Sequence, residues 1–266
     1  MMSVQQLVSH RWRVPWTGFT LETEDGVRIM GTRLGPEDPA RPAVVMAHGL
    51  MGWHRKPRFA VFAELLSHWF VTYPFDLRGH GQSGGISDYG RNEILDIAAV
   101  VRRARDDGHE TVVTLGTSLG AIAAIRHAGL LDGVDGVVAI SSLAWWDWDG
   151  EATPWARQRI RTATGTRAGR GALRLYGVRI TEEWVAPEAP EDVVGRIAPA
   201  PVLLVHGRDD TLFTWAHARR LYEAAGDPKR LMLGDGFGHA EDGLTARFAT
   251  RLSKAIYEEL DLPWHA

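Results

Sequence analysis

The sequence predicts an α/β fold, a doubly wound and mostly parallel sheet that carries a small inserted cap. Three observations lead there. Short runs rich in β-branched or aromatic residues recur along the chain, stretches of helical period lie between them, and one segment is too long for an ordinary connection. In order, residues 17–23 and 27–34 alternate loosely around Asp25-Gly26, a turn dipeptide, and read as an opening hairpin. After a Pro/Gly-rich loop at 35–42 come the runs 43–47, 70–75, 111–115, 136–140 and 202–205. Such runs suit strands buried on both faces, as parallel sheets require. Residues 230–233 form the last predicted strand. Helical spacing marks 59–69, 92–107, 119–130, 214–225 and 240–260, so strand and helix alternate as βαβ crossovers demand.

Residues 142–196 break this alternation. They contain Trp145, Trp146, Trp148, Trp155 and Trp184, with an arginine-rich stretch from Arg157 to Arg179. The expected division is a core of 1–141 and 197–266 with a helical cap of 142–196 over the strand ends.

The 266 residues, 45% hydrophobic and 24% charged, suffice for one large core. A net charge of −3 gives no global attraction to nucleic acid or anionic membrane. Lys56, Lys229 and Lys254 are the only lysines among 30 basic residues, leaving 27 arginines, a coding bias more than a function. With no cysteine there is no disulfide, thiolate metal site or cysteine nucleophile. No HExxH or carboxylate cluster at ligand spacing occurs, so neither metal nor cofactor is expected. No apolar run reaches the length of a secretory signal or a membrane span, so a soluble cytoplasmic protein is expected.

The chemistry concentrates in Gly116-Thr117-Ser118-Leu119-Gly120, which ends one predicted strand and opens the next helix. A nucleophile elbow needs this setting: a sharp strand–turn–helix bend strains the serine backbone and turns its hydroxyl outward. A serine hydroxyl is a poor nucleophile until a base takes its proton. His239, in the glycine-flanked loop Gly236-Phe237-Gly238-His239 after the last strand, is the best placed base; His109, His127 and His265 have competing explanations. The base needs a carboxylate to fix its tautomer. Val205-His206-Gly207-Arg208-Asp209-Asp210 supplies acids at the carboxyl end of a strand, the edge where open α/β sheets bind ligands. Asp210 completes the chain order serine, acid, histidine, with Asp209 the adjacent competitor and Asp147 and Asp149 more remote alternatives. Two backbone N–H groups should hold the oxyanion. They are assigned to Leu119, next to the serine, and to Leu50 in His48-Gly49-Leu50-Met51-Gly52.

Those motifs, with Asp76-Leu77-Arg78-Gly79-His80-Gly81-Gln82-Ser83, together resemble the α/β-hydrolase fold family. The nearest likeness is to its serine esterase, monoacylglycerol-lipase and serine-aminopeptidase-like branch. The resemblance runs from about residue 43 to 260 apart from the cap. It implies that the acid lies three residues after Gly207, selecting Asp210, and that Asp76 and Arg78 brace a loop and do not react. One departure is Thr214, where the family often has proline.

Gly79-His80-Gly81-Gln82-Ser83-Gly84 also matches GxGxxG, but residues 85–90 delay the helix that a dinucleotide site requires. The cap arginines read as a solvated face. The expected protein is therefore a cofactor-free serine hydrolase of small-molecule carboxylic esters. Thioesterase, peptidase, lyase or perhydrolase chemistry, or a non-catalytic receptor, are the alternatives. Met51, Trp53, Trp145, Trp146, Trp148 and Trp184 are its expected pocket residues.

Overall fold

A computed structural model describes residues 4–147 and 153–264. After a short helix, α1 (Val4–Leu7), strands β1 (Trp16–Glu22) and β2 (Arg28–Leu34) form the expected hairpin. Its turn closes through Gly26, whose N–H donates to the Thr23 carbonyl at 2.9 Å from a positive φ. Strands β3 (Ala43–Ala47), β4 (Val71–Phe75), β5 (Val112–Thr117), β6 (Gly136–Ile140), β7 (Val202–Gly207) and β8 (Lys229–Gly234) complete one sheet. Its order is β1-β2-β4-β3-β5-β6-β7-β8, parallel throughout except where β2 pairs with β1 and β4. The doubly wound, mostly parallel sheet predicted from the sequence is present.

Helices cover both faces. On one side α2 (Pro57–Leu66) and α9 (Ala246–Glu259) bury Phe59, Phe62, Leu252 and Ile256 against Val44, Met46, Val113 and Leu115. On the other, α3 (Glu93–Asp106) and α4 (Leu119–Leu131) bury Ile97, Val100 and Ile125 against Val45, Tyr73 and Val112. Alternate residues of each inner strand therefore serve opposite layers, and so β3 has no polar position to spare.

The helix expected over residues 240–260 is interrupted. A 3₁₀ turn, Ala240–Gly243, comes first, and α9 starts afresh where the Thr245 hydroxyl accepts the Phe248 N–H. Threonine competes for backbone hydrogen bonds and favours such a cap over a helix interior. Between β6 and β7 lie α5 (Pro154–Gly165) and α6 (Arg167–Tyr176), packed on each other, then α7 (Pro190–Val193) and a 3₁₀ turn, Val194–Ile197. Thr153 and Thr166 cap α5 and α6 by accepting the N–H groups of Ala156 and Gly169. After α6 the chain is tied to the core loop at 79–87. The Arg179 N–H donates to the Gly79 carbonyl at 2.7 Å, and the Ser87 N–H to the Arg179 carbonyl at 2.9 Å. By contrast, α7 and the turn after it pack on α4. Helix α8 (Ala216–Ala224) follows β7 and packs on β7 and β8.

Two glycines around the β5–α4 turn make close backbone approaches. A Cβ on Gly116 would overlap the Gly120 carbonyl, and one on Gly120 would overlap the Ala47 carbonyl of β3. Gly120→Ala is therefore expected to cost about 3 kcal/mol or more of unfolding free energy, because backbone and not a flexible side chain must yield. Urea unfolding beside the wild type measures it, and an unchanged midpoint would contradict the close approach.

Candidate active site

Ser118 stands between β5 and α4 with φ +52° and ψ −115°, a conformation that costs a non-glycine residue of order 1–3 kcal/mol. Its surroundings hold it there. The Ser118 N–H donates to the Ile140 carbonyl of β6 at 2.9 Å, and its own carbonyl accepts the N–H groups of Ala121 and Ile122. The bend sends the hydroxyl to the carboxyl edge of the sheet, where β7 and the loop after β8 supply partners. His239 Nε2 lies 3.0 Å from Ser118 Oγ, and His239 Nδ1 lies 2.8 Å from Asp210 Oδ2. With its proton on Nδ1, His239 donates to the carboxylate and accepts from the serine.

Asp210 has a fully buried side chain. Its Oδ1 accepts the N–H groups of Leu212 and Phe213 at 2.9 and 3.0 Å. Its Oδ2 meets His206 Nε2 at 3.2 Å as well as His239. Burial works to raise its pKa, but the hydrogen bonds from His206 and His239 overcome it and hold the carboxyl well below the usual range. Of the competing acids, Asp209 turns to the Gly236 N–H at 2.8 Å, and Asp149 lies outside the described residues. His109 is occupied by the Arg41 carbonyl and the Tyr73 hydroxyl, while His265 also lies outside the described residues.

The loop after β3 closes the other side. Neither the Leu50 nor the Leu119 N–H has a hydrogen-bond partner among the described residues, and both residues border one cavity with Ser118. The Leu119 group is free because the first N–H groups of a helix have no carbonyl to reach. The loop itself is firmly held. His48 is buried; its Nδ1 donates to the Gly49 carbonyl at 2.8 Å and its Nε2 accepts the Leu77 N–H at 3.2 Å. His80 Nε2 lies 2.7 Å from the Leu50 carbonyl. Below them the buried Asp76 carboxylate accepts the His54 N–H, His54 Nδ1 and the Gln82 N–H at 2.7 to 2.8 Å. Burial opposes that charge, yet His54 and the other donors bring its pKa down to about 2. Arg78 joins Asp96 and Asp25 at 2.8 and 2.7 Å. Asp76 and Arg78 thus brace loops and point away from the serine's partners.

The cavity measures about 400 Å³ and runs from Ser118 to helix α5. Trp146 and Trp184 line it, edge to face at 5.4 Å, as the sequence led one to expect. Three other expected residues do not. Trp53 is buried elsewhere, its Nε1 donating to Ser9 Oγ at 3.0 Å and its ring edge-on to Tyr176. Trp145 stacks on His217 with centroids 4.0 Å apart and faces a separate surface cleft. Met51 points to solvent. For the two tryptophans a neighbouring element captures the side chain, and residue type alone carries no information about that. Trp148 lies outside the described residues. Tyr89, Ile160 and Phe213 line the cavity without having been singled out; only Phe213, three residues after the acid, had a positional signal. His206, which meets the Asp210 carboxylate, lies four residues before it with no sequence signal beyond the motif itself. Among the described residues no three His, Asp or Glu side chains are grouped to hold a metal ion.

Comparison with known proteins bears on the family and the fold. The alpha/beta hydrolase family model matches residues 44–263. The uncharacterised protein YfhR of Escherichia coli O157:H7 is 29% identical over 229 residues, which cover 82% of this chain and 72% of that protein. The uncharacterised protein YqkD of Bacillus subtilis (strain 168) is 29% identical over 252 residues, 92% of this chain and 79% of that protein. Among solved structures, the Pyrococcus furiosus esterase Pf2001 superposes with a TM-score of 0.75 at 21% identity, covering 95% of this chain and 96% of that one. A putative aryl esterase from Burkholderia cenocepacia gives 0.68 at 20% identity over 92% and 100%. At such identities the structural likeness is one of fold. No helix among the described residues is long and apolar enough to cross a membrane.

Buried histidines make the fold sensitive to acid. Burial, then the neighbouring His80, pushes His48 down to about 3, and burial takes His127 and His217 to about 4. Unfolded, each reverts to about 6.5, so the unfolded chain takes up protons first as the pH falls. Stability from these groups is complete above about pH 6.5 and drains away towards the folded values. Urea titrations at pH 7, 6 and 5 should show falling unfolding free energy; a flat series would contradict the neutral histidines.

Proposed function

From the premise that this chain belongs to the alpha/beta hydrolase family, we propose that it is a serine hydrolase cleaving carboxylic esters, or related acyl bonds, of small molecules. The observation that carries the reading is the continuous relay Ser118–His239–Asp210, at 3.0 and 2.8 Å, opening onto the apolar cavity.

In this mechanism Ser118 Oγ attacks the substrate carbonyl carbon while its proton passes to His239 Nε2. The carbonyl oxygen gains the charge and is held by the Leu50 and Leu119 N–H groups, with the α4 N-terminus adding its dipole. The intermediate collapses, the carbon–oxygen ester bond breaks, and His239 returns the proton to the leaving alkoxide. Water then attacks the acyl-serine with His239 again as base, releasing the acid and restoring Ser118. Asp210 keeps Nδ1 protonated and offsets the imidazolium charge throughout. Its depressed pKa supports that role, since the carboxylate stays ionised wherever the histidine can act. Esters come before amides because alkoxides leave more easily than amines.

The division into a core and a 142–196 cap is part of this reading, with Trp146 and Trp184 as its walls against the substrate. Apolar walls gain roughly 25 cal/mol for each Å² they cover, so one indole edge is worth about tenfold in kcat/KM. A cytoplasmic setting belongs to the same proposal.

An active-site-directed fluorophosphonate should label Ser118, and Ser118→Ala should abolish labelling with a ~10⁴–10⁶ loss of turnover. Labelling at another serine would overturn the mechanism. Asp210→Asn should lower kcat by about 10⁴, whereas Asp209→Asn, which loosens only the Gly236 contact, should cost far less. Equal losses would mean that the acid has been misassigned.

A further inference from the structure

The stretch that carries α5 and α6 is electrostatically unlike the segments on either side of it, which hold Asp147, Asp149 and Glu151 before it and Glu182, Glu183, Glu188, Glu191 and Asp192 after it. Residues 154–181 contain seven arginines and no aspartate or glutamate, in a chain whose net charge is −3. A solvated surface helix ordinarily sets opposite charges three or four residues apart. In α6 the opposite holds: Arg167, Arg170 and Arg174 share one face, and the Arg170–Arg174 spacing places like charges together.

Those three side chains, with Arg179 from the strap that follows, line a cleft of about 120 Å³. Arg179 is fixed in place, donating to the Ser83 and Gly85 carbonyls at 2.5 and 3.2 Å. Arg170 donates to the Thr164 carbonyl at 3.2 Å, and its only carboxylate partner among the described residues is Glu182, 3.5 Å away and 75% exposed at its side chain. Arg167 and Arg174 have no carboxylate partner among the described residues. Burial, and then repulsion from Arg174, depresses the Arg179 pKa, consistent with guanidinium groups crowded around a cleft whose one carboxylate, Glu182, stands beside Arg170. Glu182 lines both this cleft and the cavity that contains Ser118, so the two are neighbours with that side chain between them.

We propose that this cleft binds a carboxylate or phosphate group of the substrate, making the protein a hydrolase of esters that carry an anionic group beyond the scissile bond. The inference rests on the serine hydrolase reading. The apolar part of the substrate lies among Tyr89, Trp146, Trp184 and Phe213, and the anion reaches past Glu182 to the guanidinium groups, whose fixed forks match two oxygens at once. Neutral esters lose that anchor but meet the same serine.

The test uses 4-nitrophenyl esters of straight-chain acids of four to eight carbons, ending in methyl, carboxylate or phosphonate. At one chain length or more, an anionic ester should exceed its neutral counterpart at least tenfold in kcat/KM, and the ratio should shrink as NaCl rises from about 20 to 500 mM. Arg170→Gln and Arg174→Gln should each cut that ratio about five- to tenfold. Arg159→Gln, whose guanidinium lies over Trp155 outside the cleft, should leave the ratio alone. The carboxylate and phosphonate arms separate the two anion chemistries. Ratios of one or less at every length, or ratios that survive both cleft variants, would overturn the proposal while leaving the hydrolase reading intact. Binding to anionic phospholipid vesicles without any preference among the soluble esters would also overturn it. If no ester is cleaved and Ser118 is not labelled, the hydrolase reading falls instead. The cleft is then judged by whether glutarate or inorganic phosphate raises the melting temperature of the wild type more than that of Arg174→Gln.

Discussion

One left-handed residue constrains the centre of this molecule. Ser118 turns the chain from β5 into α4 at φ +52°, and the turn works only if strand and helix nearly touch. Gly116 and Gly120 permit that contact, and Gly120 also admits the Ala47 carbonyl at the end of β3. The consequences run outward. Because β3, β5 and α4 meet without intervening side chains, the loop after β3 is carried beside the serine. The first N–H of α4 is left facing the same space as the hydroxyl. The strain, of order 1–3 kcal/mol, is offset by the Ile140 carbonyl and the two N–H groups on the Ser118 carbonyl.

Around this point the molecule buries ionisable groups and supplies each with donors. Asp210 collects two backbone N–H groups and two imidazoles, and Asp76 collects two backbone N–H groups and His54. A buried carboxylate that is fully hydrogen-bonded holds its neighbours in one arrangement, because every alternative strands a charge away from water. The loop bearing Leu50 is steadied in that way, through Asp76 and the imidazoles of His48 and His80. Preorganisation of this kind means that little has to move when charge develops on a substrate.

The segment that carries α5 and α6 follows a different logic. Its helices are rich in arginine and poor in buried residues, and its strap is tied to the core by backbone hydrogen bonds from Gly79 to Ser87. In the proposed reading chemistry and selectivity are thereby separated: the sheet edge carries Ser118, His239 and Asp210, whereas this segment lines the same cavity through Trp146 and Trp184 and a neighbouring cleft with arginines.

The sequence alone determined the strand runs, because a strand buried on both faces must be apolar at nearly every position; 43–47 and 136–140 coincide with β3 and β6 to the residue. It also marked Ser118, since an elbow between strand and helix demands small residues at fixed offsets. His239 and Asp210 were legible through position, each just beyond the carboxyl end of a strand. The break before Thr245 was hidden, because hydrophobic periodicity on both sides outweighed a single capping residue. Tertiary structure alone decided which aromatic side chains meet the cavity. Trp53 and Trp145 were captured by Tyr176 and His217, whereas Tyr89 and Phe213 entered from loops with no period to read. A loop residue's direction depends on which distant element packs beside it, and local sequence does not encode that contact.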